Sequence, residues 1–294
     1  MVVLGPTASG KTRLACRLAH ELNGEIISAD SRQVYKELNI GTGKDLHEYV
    51  IDGKKIPYHL IDICDVKTQF YLHDYIRELR TAFDEICSRK KLPVICGGTG
   101  LYLEALQKDH SYTQIPENPS LREALKSLTK EQLIQKLNTY QFSEHNLGTD
   151  RSSEKRLIRG IEISEYLKQN PGSALPKDLP YRPKYLGINV SAEERNKRID
   201  ARLRERLNNG LIEETQKLLG EGVSHERLQF LGLEYKFLSL YLLGKITKEA
   251  LFNQLSTAIH QFAKRQMTWF RRMERQGIQI EWVNPTDTIL NILV

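Results

Sequence analysis

The first dozen residues constrain the fold of this chain more than any other stretch. The apolar run Val2-Val3-Leu4 feeds Gly5-Pro6-Thr7-Ala8-Ser9-Gly10-Lys11-Thr12, which fills the spacing G-x-x-x-x-G-K-[ST], and Leu14, Leu18, Ala19 and Leu22 then recur at helical intervals. Strand, loop and helix are therefore predicted in that order. Gly5 and Gly10 let the backbone curl so that successive N–H groups point at phosphate oxygens. The helix N-terminus adds partial positive charge, Lys11 neutralises the outer phosphate, and the Thr12 hydroxyl is placed to hold Mg²⁺. The loop binds a phosphate compound without identifying which one or what becomes of it.

Strand-like and helix-like segments alternate up to about residue 108. Residues 25–29, 58–63 and 92–96 read as further strands, and 72–90 as an amphipathic helix before the last of them. This rhythm predicts an α/β fold, a parallel sheet with helices on both faces, and ligands in such sheets bind at the carboxyl ends of the strands. Three stretches meet there: the phosphate loop, Asp30-Ser31-Arg32-Gln33, and Gly97-Gly98-Thr99-Gly100.

Asp30 supports two readings that can coexist. As a cap it would start a helix over residues 31–38, with Gln33 at the third position completing a capping-box-like pair. As a functional group it is a carboxylate at a strand end beside the phosphate loop, placed to accept a proton from a nucleophile. The strand after the long helix ends in Gly97-Gly98, not in the carboxylate that ordinary P-loop ATPases use to help hold Mg²⁺; Asp62 is the alternative ligand.

Residues 109–181 form a predicted helical insertion in a core made of 1–108 and 182–294. Pro116, Pro119, Pro171, Pro176 and Pro180 bracket helical segments at 120–127, 130–140 and 153–169. Lys155-Arg156-Leu157-Ile158-Arg159 gathers three cations within a turn and a half, facing either solvent or an anionic groove. The core resumes with a strand at 185–190. Ser191 and Glu194 then read as a capping box opening a helix with Arg195, Arg198, Arg202 and Arg206 along one side, toward solvent or a diphosphate. Helices at 211–219, 231–243 and 248–275 complete the chain. The last one joins apolar positions to Lys264, Arg265, Arg271, Arg272 and Arg275. Trp269 and Phe270 serve there as core anchors or base-stacking platforms, and the cations suit phosphates.

The net charge of +6 lies almost wholly after about residue 110, most of it after residue 182, which suggests an acidic partner for the C-terminal half. Cys16, Cys64, Cys87 and Cys96 show neither metal-ligand nor disulfide spacing and read as reduced apolar fillers. No apolar stretch approaches the ~20 residues that span a bilayer, and the start lacks signal-peptide character. A cytoplasmic monomer without a membrane partner is the default expectation.

G-P-T-A-S-G-K-T, D-S-R-Q, Tyr58-His59-Leu60-Ile61-Asp62, G-G-T-G-L-Y, K-R-L-I-R-G-I-E and K-R-Q-M-T-W-F-R, in this order and at these separations, resemble the tRNA dimethylallyltransferases, from Met1 to about Arg272. The lack of a zinc-finger extension in these residues is similar to the bacterial form. The resemblance implies a P-loop NTPase-like core and, with Mg²⁺, transfer of a dimethylallyl group from dimethylallyl diphosphate to N6 of adenosine 37, next to the anticodon. It implies Gly5, Pro6, Thr7, Ala8, Ser9, Gly10, Lys11 and Thr12 as diphosphate ligands, Asp30 as general base, and Arg202 as active-site arginine, with Arg198 competing for that place. Asp30, Ser31, Arg32, Gln33, Thr99, Arg122, Lys155 to Arg159, and Lys264, Arg265, Gln266, Met267, Thr268 and Trp269 match tRNA contacts. Tyr58, Ser152-Ser153 and Gly232-Leu233-Glu234-Tyr235 depart from the family pattern.

On that reading the insertion and the last helix grip the tRNA anticodon stem-loop by its phosphates, and the target base flips into a channel between core and insertion. A P-loop small-molecule kinase shares the loop and sheet but leaves the basic stretches without a use. An adenylate isopentenyltransferase shares the donor but takes a free nucleotide, for which the long insertion is unneeded. A non-catalytic RNA-binding module has no use for Lys11 and Thr12.

Overall fold

Val2–Leu4 is too short a strand to stand alone, and it is fully buried because it is central. In this computed structural model, which describes residues 1–107, 112, 115–140, 151–171, 183–284 and 287, it is β1 of a six-stranded sheet. The sheet also contains β2 (Gly24–Ala29), β5 (Tyr58–His59), β6 (Leu92–Gly97), β7 (Tyr185–Ile188) and β8 (Ile280–Val283), in the order β5-β2-β6-β1-β7-β8. Every pairing is parallel. Val50–Ile51 (β3) and Lys54–Lys55 (β4) form a separate antiparallel pair.

Register decides where ligands go. Leu4 pairs with Gly97 and with Gly187, and Ala29 pairs with Gly97. Four strands therefore end level, and the phosphate loop, Asp30 and Gly98 leave the sheet at one edge. Val3, Ile26, Val94 and Cys96 pack on one face against Leu14, Ala15 and Leu18 of α1 (Lys11–Glu21). The alternating residues Val2, Leu4, Ile27 and Ile95 are as deeply buried, so both faces are covered.

The remaining helices are α2 (Leu72–Ser88), α3 (Gly100–Glu104), α4 (Pro119–Leu125), α5 (Lys130–Asn138), α6 (Glu154–Gln169), α7 (Ala192–Asn208), α8 (Leu211–Gly220), α9 (His225–Leu231), α10 (Leu233–Leu242) and α11 (Lys248–Arg275). The chain forms two compact units, Met1–Gln107 with Pro180–Val294, and Lys108–Leu179. In the second unit α4, α5 and α6 enclose Leu125, Leu133, Leu137, Leu157 and Ile161. The expected boundaries at 108/109 and 181/182, with Pro176 and Pro180, fall outside the described residues.

Three expectations are corrected. The strand expected over 58–63 stops at His59, because Leu60 and Asp62 take left-handed backbone angles, φ 63° and 59°. No helix spans 31–38. Its carbonyls are claimed from afar: Val34 accepts from the amides of Ile63 and Cys64, and Tyr35 from the Lys44 ammonium. The helix expected over 231–243 is α10, which starts after Gly232 (φ 152°), while α9 before it was not anticipated. Ser191 does cap α7 through the Glu194 amide, but the Glu194 carboxylate turns to Arg198 instead of closing a capping box. Strand β8 and the β3–β4 pair were not anticipated.

Candidate active site

The phosphate loop has the shape its glycines foretell, each for a different reason. Ala8 and Gly10 lie in the left-handed region, at φ 60° and 85°, a conformation that turns neighbouring amides to one side. At Gly5 the limit is space: a Cβ would sit 2.6 Å from the Ser9 hydroxyl and 3.3 Å from Ile188. Lys11 and Thr12 open α1 and line a cavity of about 820 Å³ together with Thr7, Ala8 and Gly10. Gly5, Pro6 and Ser9 lie outside that lining, and the buried Ser9 hydroxyl finds no partner among the described residues.

Asp30 enters the same cavity from the end of β2. One carboxylate oxygen accepts from the Arg32 amide at 2.8 Å and the Gln33 amide at 3.4 Å, so Asp30 anchors a turn where a helix was expected. Thr99 ties this turn to the third strand end, its hydroxyl accepting from the Ser31 amide at 3.0 Å. Gln33 donates to the Gly43 carbonyl at 2.9 Å and fixes the next loop. Asp62, the alternative metal ligand, takes no part in the cavity lining: it pairs with the Lys44 ammonium, which is 2% exposed.

Helix α7 supplies the opposite wall. Arg198, Arg202 and Arg206 line the cavity, whereas Arg195 is buried away from it. Arg202 reaches the phosphate loop, donating to the Thr7 hydroxyl, while Arg198 pairs with Glu194 at 2.8 Å and Arg206 with Asp45 at 3.3 Å. Burial, and then the charge of Arg206, pulls the Arg202 guanidinium down to about 10. Burial also lowers the Lys11 ammonium, against the opposing pull of the Asp30 carboxylate. Two cations are thus desolvated here, and among the described residues the lining holds eight Lys and Arg side chains against four Asp and Glu. Such a cavity favours an anion that restores the lost solvation. Cys96 forms part of the lining as a neutral thiol, pushed up to about 12 by burial.

The expected nucleic-acid contacts on α11 separate by face. Lys264, Arg265 and Thr268 are exposed, Met267 is half-buried, and Arg265, Gln266 and Trp269 line the cavity. Phe270 is fully buried as a core anchor, whereas Trp269 lies over Gly100, where a Cβ would come within 2.4 Å of the indole. Gln266 faces inward at 7% exposure. In the second unit Arg122 makes a bidentate pair with Glu162 at 2.7 and 2.8 Å and a single contact with Glu117 at 2.7 Å. Arg159 pairs with Glu162 and donates to the carbonyls of Tyr112 and Ile115. Leu157 is core, Ile158 packs beside it, and Lys155 and Arg156 are exposed.

Sequence reasoning overlooked the loop Gly41–Thr42–Gly43, which lines the cavity beside Asp45, Glu48 and Glu234. Glu214 holds this loop: its carboxylate accepts from the amides of Asn39, Ile40 and Gly41 and from the Tyr235 hydroxyl at 2.7 to 3.1 Å. The two glycines in I-G-T-G-K were the available signal. A Cβ at Gly41 would strike the Tyr235 ring at 2.5 Å, and Gly43 has φ 62° against Arg206. Burial and the nearby Asp45 raise Glu48, and burial raises Glu234.

Residues 33–273 match the family model described as IPP transferase. The chain is 47% identical over 285 residues to tRNA dimethylallyltransferase 2 of Phocaeicola vulgatus, covering 97% of this chain and 92% of that protein. It is 48% identical over 286 residues to tRNA dimethylallyltransferase 2 of Syntrophotalea carbinolica, covering 97% and 93%. The solved full-length tRNA isopentenylpyrophosphate transferase of Bacillus halodurans superimposes with a TM-score of 0.66 at 30% identity, over 99% of this chain and 92% of that one. A eukaryotic dimethylallyltransferase acting on tRNA shares the fold, with a TM-score of 0.77 at 24% identity over 97% and 73%. A match of this extent, carried by nearly the whole length, places the chain in the IPP transferase family, that of the tRNA dimethylallyltransferases.

Proposed function

We propose that the chain transfers the dimethylallyl group of dimethylallyl diphosphate to N6 of adenosine 37 in the tRNA anticodon loop, releasing diphosphate. The observation that carries the reading is one cavity lined by the carboxylate of Asp30, the phosphate loop and the desolvated cations Lys11 and Arg202. In the reaction the allylic carbon–oxygen bond breaks as the N6–carbon bond forms. The electron pair leaves with the diphosphate, and the N6 proton passes to Asp30. The departing anion is met by loop amides, Lys11 and Arg202, donors already fixed in the cavity wall. An exocyclic aromatic amine is a weak nucleophile, so proton removal at Asp30 supplies the other half of the acceleration.

Mg²⁺ suits this donor set. Among the described residues no cluster of three His, Cys, Asp or Glu side chains forms a metal cage, and Thr12 lines the cavity next to Lys11. Mg²⁺ is commonly held in that way, by one or two side chains together with substrate phosphate oxygens. Thr12 would hold the ion, which when bound neutralises charge on the leaving diphosphate.

The test is incubation of the pure protein with Mg²⁺, labelled dimethylallyl diphosphate and, separately, unmodified bulk tRNA, AMP and ADP, followed by nucleoside digestion. Label in N6-dimethylallyladenosine from tRNA alone is expected. Label in AMP or ADP would make it an adenylate isopentenyltransferase, and no transfer would overturn the reading.

A further inference from the structure

Gln266 sits in the middle of K-R-Q-M-T-W, a stretch matched to tRNA contacts, yet its side chain is engaged by two backbone loops. The carboxamide oxygen accepts from the Thr7 amide at 2.8 Å, and the nitrogen donates to the Gly98 carbonyl at 2.9 Å. The residue is 7% exposed and lines the cavity from α11, with its oxygen and one N–H spent on these two loops. Two loops that leave the sheet side by side are therefore joined by one residue from α11. Gly98 permits the approach: a Cβ there would lie 2.3 Å from the Gln266 nitrogen. Trp269, three residues on and on the same helix face, uses Gly100 in the same way. Lys264 and Arg265, immediately before Gln266, are exposed.

We propose that Gln266 is a positioning residue for the donor site: it holds the phosphate loop against the Gly97–Gly98 corner in the form that accepts a diphosphate, and ties that form to the helix carrying Lys264 and Arg265. The proposal rests on the donor reading above. By taking the Thr7 amide, Gln266 leaves the amides nearer α1 to face the anion. It also keeps the Thr7 hydroxyl where Arg202 reaches it. Without the carboxamide, the Thr7 N–H and the Gly98 carbonyl lose their partners in a nearly dry place, and the loop moves to find others.

The test uses the full chain with Gln266→Met, which keeps the volume and removes both hydrogen bonds, and Gln266→Ala beside it. Inorganic diphosphate with Mg²⁺ is titrated by calorimetry, tRNA affinity is measured separately, and thermal unfolding reports the folded fraction. Expected for Gln266→Met is roughly tenfold weaker diphosphate binding, tRNA affinity within about twofold, and a rise in KM for dimethylallyl diphosphate larger than the fall in kcat. A purely structural role would lower kcat with the folded fraction and leave KM unmoved. Unchanged diphosphate affinity in Gln266→Met, an equal loss of tRNA affinity, or no diphosphate binding by the unaltered protein would each overturn the proposal. The titration needs no turnover, so absence of transfer by a diphosphate-binding protein would overturn the assigned reaction alone.

Discussion

Two basic helices of similar appearance in the sequence have opposite surroundings. On α7, Arg202 is desolvated beside the phosphate loop and its one hydrogen bond among the described residues goes to a hydroxyl. On α6, Arg159 is neutralised by Glu162, a carboxylate only 1% exposed that also takes Arg122. Burial pushes Glu162 up, but hydrogen bonds from Arg122, the Asn118 amide and Arg159 outweigh it and hold the carboxyl below its ordinary value. A cation with no carboxylate in salt-bridge contact is available for a ligand, while one shared with a buried carboxylate is part of the core. Spacing along a helix does not distinguish them.

The largest expected effect comes from the cavity. Asp30→Asn keeps an oxygen for the Arg32 amide and so preserves the turn, but it cannot take a proton; turnover should fall about 10²- to 10⁴-fold with tRNA affinity within about twofold. If tRNA binding collapsed equally, Asp30 would be a turn anchor alone. The helix comparison is tested most directly by removing one arginine from each unit. Arg122→Met leaves Glu162 with less compensation in a dry place and should cost about 3 kcal/mol of stability, read by denaturant unfolding, without altering diphosphate binding. Arg202→Met should do the reverse, weakening diphosphate binding roughly tenfold at little cost in stability. Matching profiles for the two variants would erase the distinction.

Smaller effects refine it. Lys264→Ala with Arg265→Ala should lower the slope of log affinity against log salt for tRNA by about 2; an unaltered slope would remove these cations from the interface. Glu162 gives a pH dependence. Its folded-state pKa is depressed, so its stabilisation is present above the ordinary value near 4.5 and lost as pH falls through the folded value. Thermal unfolding followed from pH 6 downward should therefore fall less steeply in Glu162→Gln than in the unaltered protein, and parallel curves would show that Glu162 is not the sensor.

Much of the site was readable in order along the chain because its parts are local. A phosphate loop is a strand, a turn and a helix start within twelve residues, and its glycines announce the positive φ at Gly10 and the crowding at Gly5. The level strand ends that unite the loop, Asp30 and Gly98 follow from a parallel sheet. Gln266 was misleading because its neighbours Lys264 and Arg265 are exposed, and nothing in a helical period says that the intervening glutamine reaches a loop 259 residues away. Glu214 was invisible for the same reason, as its partners are three backbone amides.

Residue types and short-range spacing by themselves determined the phosphate loop, the α/β rhythm and the helical insertion, and six motifs in order carried the family resemblance. Only tertiary structure decided that residues 31–38 are turns, that Asp62 is spent on Lys44, and which arginines keep their charge for a ligand. The physical reason is reach. Propensity and periodicity act within about one helical turn, whereas hydrogen bonds and ion pairs in a dry interior are settled by whichever partner the fold brings within 3 Å, however distant in the chain.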